Sequence, residues 1–247
     1  MTISLVDSLE EIKLVKVGCI GLLDKMRLLG APDAHGNYPD TFRLIAIPMI
    51  YAVWERCFTL CHAVALRRLR DLKKHANQLD ARQRALWLQK QGFYQRYIDL
   101  LRQAGGEDPG LRIKKGPYTA LWTFLKELEE WSVRSVDVTV QTDELVMSFS
   151  NVNPHVVELN AIALGISDDE TFQKIDFGRL HELVLRRNEI GHGGIITPPG
   201  NKEFGEIWKF TEDLVNNYCD AFEIWIKTSL ADAITGADLR RAHVLGK

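Results

Sequence analysis

The sequence offers few of the signatures that assign a chemistry at sight. Four cysteines stand in 247 residues, and none forms a Cys-x-x-Cys pair. Cys57 and Cys61 lie four apart on an apolar stretch, which suits small core residues in a reducing compartment. With the adjacent His62 they fall short of the four ligands that a structural zinc takes. A basic excess is also missing: 31 Lys and Arg against 33 Asp and Glu leave a formal charge of −2. Any nucleic-acid surface must therefore come from local clustering of cations, not from the average. No run of 18 apolar residues is present, and Met1–Ser8 has no basic start followed by an apolar core. The expectation is a cytoplasmic chain with no membrane contact. Gly191-His192-Gly193-Gly194 is not followed by the Lys-Ser/Thr of a phosphate-binding loop. Ser148-Phe149-Ser150 lacks the glycines of a nucleophile elbow, and no His-Glu-x-x-His occurs. Asp168-Asp169-Glu170 suits a solvated helix cap better than a metal site. Internal repeats and low-complexity segments are absent.

What is present is helical periodicity. Apolar residues recur at helical spacing over residues 3–29, with Gly30 and Pro32 as the stop and a loop to Asp40. A longer pattern runs from Phe42 to about Lys74, with Pro48 in its first turns. A third is expected over Asp80–Gln103 and a short one over Tyr118–Trp131, with Leu121, Trp122, Leu125 and Leu128 facing inward. Alternation of Val136, Val138 and Val140 with polar residues predicts a small β-hairpin near 136–149. Pro154 opens a helix that Gly165 closes, Asp176 caps the next, and residues 202–231 form a last long helix before a polar tail. The predicted class is mostly all-α, an antiparallel bundle in one domain. Residues 1–41 are an N-terminal helix and loop, 42–231 the helical core, and 232–247 a frayed tail.

One stretch organises the chain. Leu180, Leu183 and Val184 make an apolar stripe, and the next position on it is Arg187. A guanidinium on a buried stripe needs a carboxylate, a water-filled cleft or an anionic ligand in front of it. Asn188 follows, and then Gly191, His192, Gly193 and Gly194 end the helix and leave the imidazole little cover. The plainer reading is a basic helix end that meets the macrodipole. In a straight helix, residues five apart point about 140° from one another. Periodicity thus permits a joint Arg187–His192 site without requiring one.

The segment Arg187-Asn188-Glu189-Ile190-Gly191-His192 resembles the Arg-x4-6-His signature of the HEPN superfamily (higher eukaryotes and prokaryotes nucleotide-binding domains). A leucine-rich helix followed by Arg-Asn and Gly-His-Gly is similar to the prokaryotic RiboL-PSP and MAE types, linked to toxin and phage-defence loci. Tyr51-Ala52-Val53-Trp54-Glu55 resembles their upstream helix, where an aromatic-Glu pair faces the motif. Arg186 also satisfies the spacing, but Arg187 lies on the buried stripe and directly precedes Asn188.

The resemblance implies a HEPN-like bundle that pairs as a homodimer and cleaves RNA without metal or other cofactor. His192 would move the proton, which an imidazole does well near neutral pH. Arg187 would hold the scissile phosphate, Asn188 would orient phosphate or imidazole, and Glu55 would hold and neutralise Arg187 when RNA is absent. Arg186, Arg67, Arg68, Lys114 and Lys115 are the cations that could guide RNA. An antitoxin or defence-system protein would be the partner. Two other readings stand beside the nuclease: a non-catalytic HEPN module that binds RNA or protein, and a helical scaffold in which Glu55 closes on Arg187.

Overall fold

A computed structural model describes residues 5–71, 81–90, 92–103, 115–132, 151–193 and 197–245. Eight α-helices and one short 3-10 turn carry these residues, and no strand occurs among them. The hairpin expected at 136–149 lies outside the described residues.

Three helices make the centre: α1 (Leu5–Leu29), α2 (Asp40–Asp71) and α8 (Asn201–Leu245) pack against one another. Ile12, Cys19 and Leu23 of α1 are fully buried, so the N-terminal helix supplies core and does not merely lie on it. Lys16 pairs with Asp220 at 2.8 Å and Arg27 with Glu212 at 3.0 Å, pinning α1 to α8 along one edge. Between α2 and α8 stands an aromatic column of Trp54, Phe58, Tyr218 and Phe222, each at most 1% exposed. Burial of such side chains contributes roughly 1.5–3 kcal/mol each. Over Asp40–Leu69, α2 is long and apolar enough to cross a bilayer by composition, but Ile47, Ile50, Trp54, Phe58 and Leu66 spend that character on the bundle core.

The second layer is α6 (Pro154–Leu164) and α7 (Phe177–Gly191): α7 leans on α2, and α6 packs against α7. Their starts follow the capping residues in the sequence. Asn153 Oδ1 accepts the Val156 N–H at 3.0 Å, with Pro154 at the first helical position, and Gly165 caps the far end. Asp176 Oδ1 accepts the Arg179 N–H at 3.1 Å and opens α7. Between them, Asp169 Oδ1 receives the N–H of Thr171 at 2.8 Å and starts the 3-10 turn at Phe172–Lys174.

Three expectations are corrected. The single helix over 80–103 is two, α3 (Ala81–Lys90) and α4 (Phe93–Gln103), because Gly92 adopts φ +70° and breaks the run. On α5 (Lys115–Ser132) the stripe expected to face inward is exposed, with Trp122 58% accessible alongside Leu121 and Leu125. α5 packs chiefly on α4, through Tyr97 and Phe124, and period alone does not say which face a neighbour covers. Finally, α8 runs as helix to Leu245, past Ala231, through a segment rich in Ala, Leu and Arg that favours helix despite Gly236.

Candidate functional site

α7 fixes the site because its apolar stripe is spent on the core. Leu180, Leu183 and Val184 are buried, and Arg187, next on that face, is half-buried toward α2. Its Nη1 donates to Asn188 Oδ1 at 2.9 Å and to Asn151 Oδ1 at 3.0 Å. Its guanidinium carbon lies 5.0 Å from the centre of the Tyr51 ring. A cation over an aromatic face gains about 0.5–2 kcal/mol according to its desolvation. The misfit on the stripe is therefore met by two amide oxygens and a π face, and by no carboxylate among the described residues.

Asn151 is held in place from beneath. The next residue, Val152, is buried and gripped at both its peptide groups by α2. Its N–H donates to the Tyr51 hydroxyl at 2.7 Å, and its carbonyl accepts the Trp54 indole N–H at 3.2 Å. Burial raises the Tyr51 phenol above its ordinary range, the Val152 N–H and Arg187 work against that rise, and Glu55 adds to it. Glu55 thus feels the same ring from one turn further along α2, yet it makes no ion pair with Arg187. The neutralising role expected for Glu55 is not what this geometry contains; Asn151 stands where the carboxylate was expected.

His192 sits just past the helix. Its backbone N–H donates to the Asn188 carbonyl at 3.0 Å, closing the last turn, and its side chain is exposed. Gly193 follows at φ +72°, a conformation that side chains resist, and a Cβ at Gly191 or Gly193 would meet no atom within 4 Å. The imidazole is thus exposed to solvent just past the helix end, while Arg187, five residues earlier, is half-buried toward α2.

A sequence model of the RiboL-PSP-HEPN family matches residues 22–228. The chain belongs to that family. No curated protein and no solved structure shows significant similarity to it. Membership in the HEPN superfamily accords with the all-helical bundle and attaches the chain to a group associated with RNA and ribonucleases.

Those of the other expected cations whose side chains are described in this HEPN chain do not gather at Arg187. Arg186 points about 100° round α7 from Arg187 and pairs with Glu203 of α8. It lines a groove of about 560 Å³ that also holds Glu182, Glu189 and Glu206, an acidic setting poorly suited to phosphate. Arg67 pairs with Glu11 of α1 at 2.5 Å, and Arg68 is buried. Both lie about 24 Å along α2 from Tyr51, by the helical rise. Lys115 begins α5, and nothing is described of its side chain; Lys114 lies outside the described residues. Sequence reasoning missed Asn151 as a partner of Arg187. A polar residue three before Pro154, in the segment ahead of a helix, carries no periodic signal that would have found it.

Proposed function

We propose that this RiboL-PSP-HEPN chain is a metal-independent endoribonuclease. The observation that carries the reading is Arg187, a half-buried guanidinium oriented by Asn151, Asn188 and the Tyr51 face with no carboxylate partner among the described residues. Amide oxygens direct a cation without cancelling its charge, so a phosphate oxygen can still take up its remaining N–H groups. The scaffold alternative required Glu55 to close on Arg187, and no such pair supports it.

In the proposed reaction the substrate's own ribose 2′-OH attacks the adjacent phosphorus. The bond from 2′-oxygen to phosphorus forms as the bond from phosphorus to the 5′-oxygen breaks. His192, exposed just past the helix end, is the acid or base: it takes the proton of the 2′-OH or supplies the one that the departing 5′-oxygen receives. Arg187 bears the charge that builds on the non-bridging oxygens. The products are a 2′,3′-cyclic phosphate and a 5′-OH. Two copies would pair so that their motifs share one cleft, and the enzyme would serve in the cytoplasm as a toxin or phage-defence effector restrained by a partner protein.

The test is incubation of the purified chain with mixed RNA in EDTA, beside His192→Ala and Arg187→Ala proteins of matched folding. Cyclic-phosphate ends should form with the wild type, and loss of the imidazole should slow cleavage roughly 10²- to 10⁴-fold. Undiminished cleavage by His192→Ala would refute the assignment. RNA bound but never shortened would select the non-catalytic module.

A further inference from the structure

All four cysteines of the chain come together in the core, although they are spread over 200 positions and three helices. Cys19 is on α1, Cys57 and Cys61 are one turn apart on α2, and Cys219 is on α8. Each is at most 1% exposed. Cys219 Sγ lies 3.7 Å from Cys57 Sγ and 3.8 Å from Cys61 Sγ, and these three sulfurs are all within 4.8 Å of one another. Cys19 lies outside that trio but is buried in the same core, close enough to Cys57 for the two thiols to interact.

Two touching thiols in a core need no special account, since cysteine packs as a small apolar residue. Convergence of every cysteine from three helices is a different matter. A tetrahedral zinc with Zn–S bonds of about 2.3 Å holds its sulfurs about 3.8 Å apart, which is the spacing found from Cys219 to both α2 thiols. A disulfide would bring one pair to about 2.05 Å and leave the other two sulfurs without purpose. An iron–sulfur cluster, with iron and sulfide between the thiolates, would hold them further apart than this.

We propose that Cys19, Cys57, Cys61 and Cys219 form a buried tetrathiolate site for one zinc ion, which ties α1, α2 and α8 together. On binding, each ligating thiol gives its proton to solvent and its sulfur lone pair to the metal, with no change of oxidation state. Four thiolates and one divalent ion leave two net negative charges. Lys16, one turn before Cys19 on α1 and bonded at 2.8 Å to Asp220 beside Cys219, places a cation at the edge of the cluster. The ion would be structural. Cys57 is about 9 Å along α2 from Tyr51, so the site stiffens the helix that carries the Arg187 platform without entering the chemistry.

The test is the metal content of untagged protein, purified under reducing conditions without chelator and measured by plasma mass spectrometry. About one zinc per chain is expected, released when a mercurial blocks the thiols. Cobalt supplied during refolding should give the strong visible bands and thiolate charge-transfer absorption of a tetrahedral sulfur site. Cys219→Ala and Cys61→Ala should each lose the bound metal. Because these variants can also lose folding, the wild-type measurement decides. Wild-type protein with four reduced thiols that takes up neither zinc nor cobalt overturns the proposal, as does a core disulfide found by intact mass or copper found in place of zinc. None of these readouts depends on RNA cleavage.

Discussion

Replacing Tyr51 by Phe separates two things that one side chain does. The ring stays under Arg187, so the cation–π contact at 5.0 Å is kept. The hydroxyl that accepts the Val152 N–H at 2.7 Å is lost, and that donor is buried. Leaving a buried N–H without its partner costs about 1–3 kcal/mol. With a urea slope near 3 kcal/mol/M, the unfolding midpoint should fall by roughly 0.3–1 M. Trp54 still holds the Val152 carbonyl, so the segment is loosened at one peptide group and kept at the other. Asn151, one residue before, then loses the rigidity that aims its oxygen at Arg187, and cleavage should fall although no atom near the phosphate has changed. The assay is tryptophan fluorescence in urea, with single-turnover RNA cleavage measured on the same preparations. A double-mutant cycle with Trp54→Phe adds a sharper check. Both side chains grip one residue, so their effects should be non-additive by about 0.5–3 kcal/mol. An unchanged midpoint in Tyr51→Phe, or strict additivity in the cycle, would refute the clamp.

Arg187→Lys keeps the charge but loses the planar fork, and it should lower RNA affinity or cleavage about tenfold or more, as measured by filter binding and single-turnover rates. Arg186→Ala removes only a half-exposed pair with Glu203, so its cost should be at most about 1 kcal/mol in urea with cleavage preserved. Loss of cleavage in Arg186→Ala together with full activity in Arg187→Ala would exchange their roles. Burial lowers His62 to about 4. The unfolded chain therefore takes up this proton first as pH falls: the stabilisation is complete above about pH 6.5, declines below it, and has gone by about pH 4, a loss of about 3 kcal/mol. His62→Phe should flatten that part of the curve of stability against pH, and an unchanged slope would contradict the neutral buried imidazole.

Most of the frame was readable because helix boundaries are local chemistry. Asn153-Pro154, Gly165 and Asp176 each announce an end through side-chain or backbone preferences that act within four residues. Arg187 was readable for a related reason, as a charge out of place on a stripe. The missed features depend on contacts between distant positions. Asn151 reaches Arg187 only because Val152 is clamped to α2 a hundred residues earlier. Trp122 and Leu125 have the spacing of a buried face, but spacing does not supply the neighbour that would bury them. The cysteines looked too few and too scattered for a ligand set, since Cys219 joins Cys57 only through the α2–α8 contact.

The choice of amides over a carboxylate at Arg187 has a consequence for the proposed activity. Had Glu55 closed on the guanidinium, a phosphate would first have to break an ion pair in a half-buried setting. Separating such a pair costs about 3–5 kcal/mol when burial is deep, comparable to the gain from the incoming phosphate. Asn151 and Asn188 accept from one nitrogen, Nη1, and hydrogen bonds to a charged group contribute about 1.5–3 kcal/mol each. These bonds orient the fork while its charge stays uncancelled. Glu55 nonetheless lies close enough to act on Tyr51 electrostatically. Glu55→Gln should therefore leave RNA cleavage within about threefold of wild type, the scale of a surface charge effect near 0.5 kcal/mol. A Glu55→Gln protein that lost cleavage as fully as Arg187→Ala would show that the carboxylate takes part in the reaction.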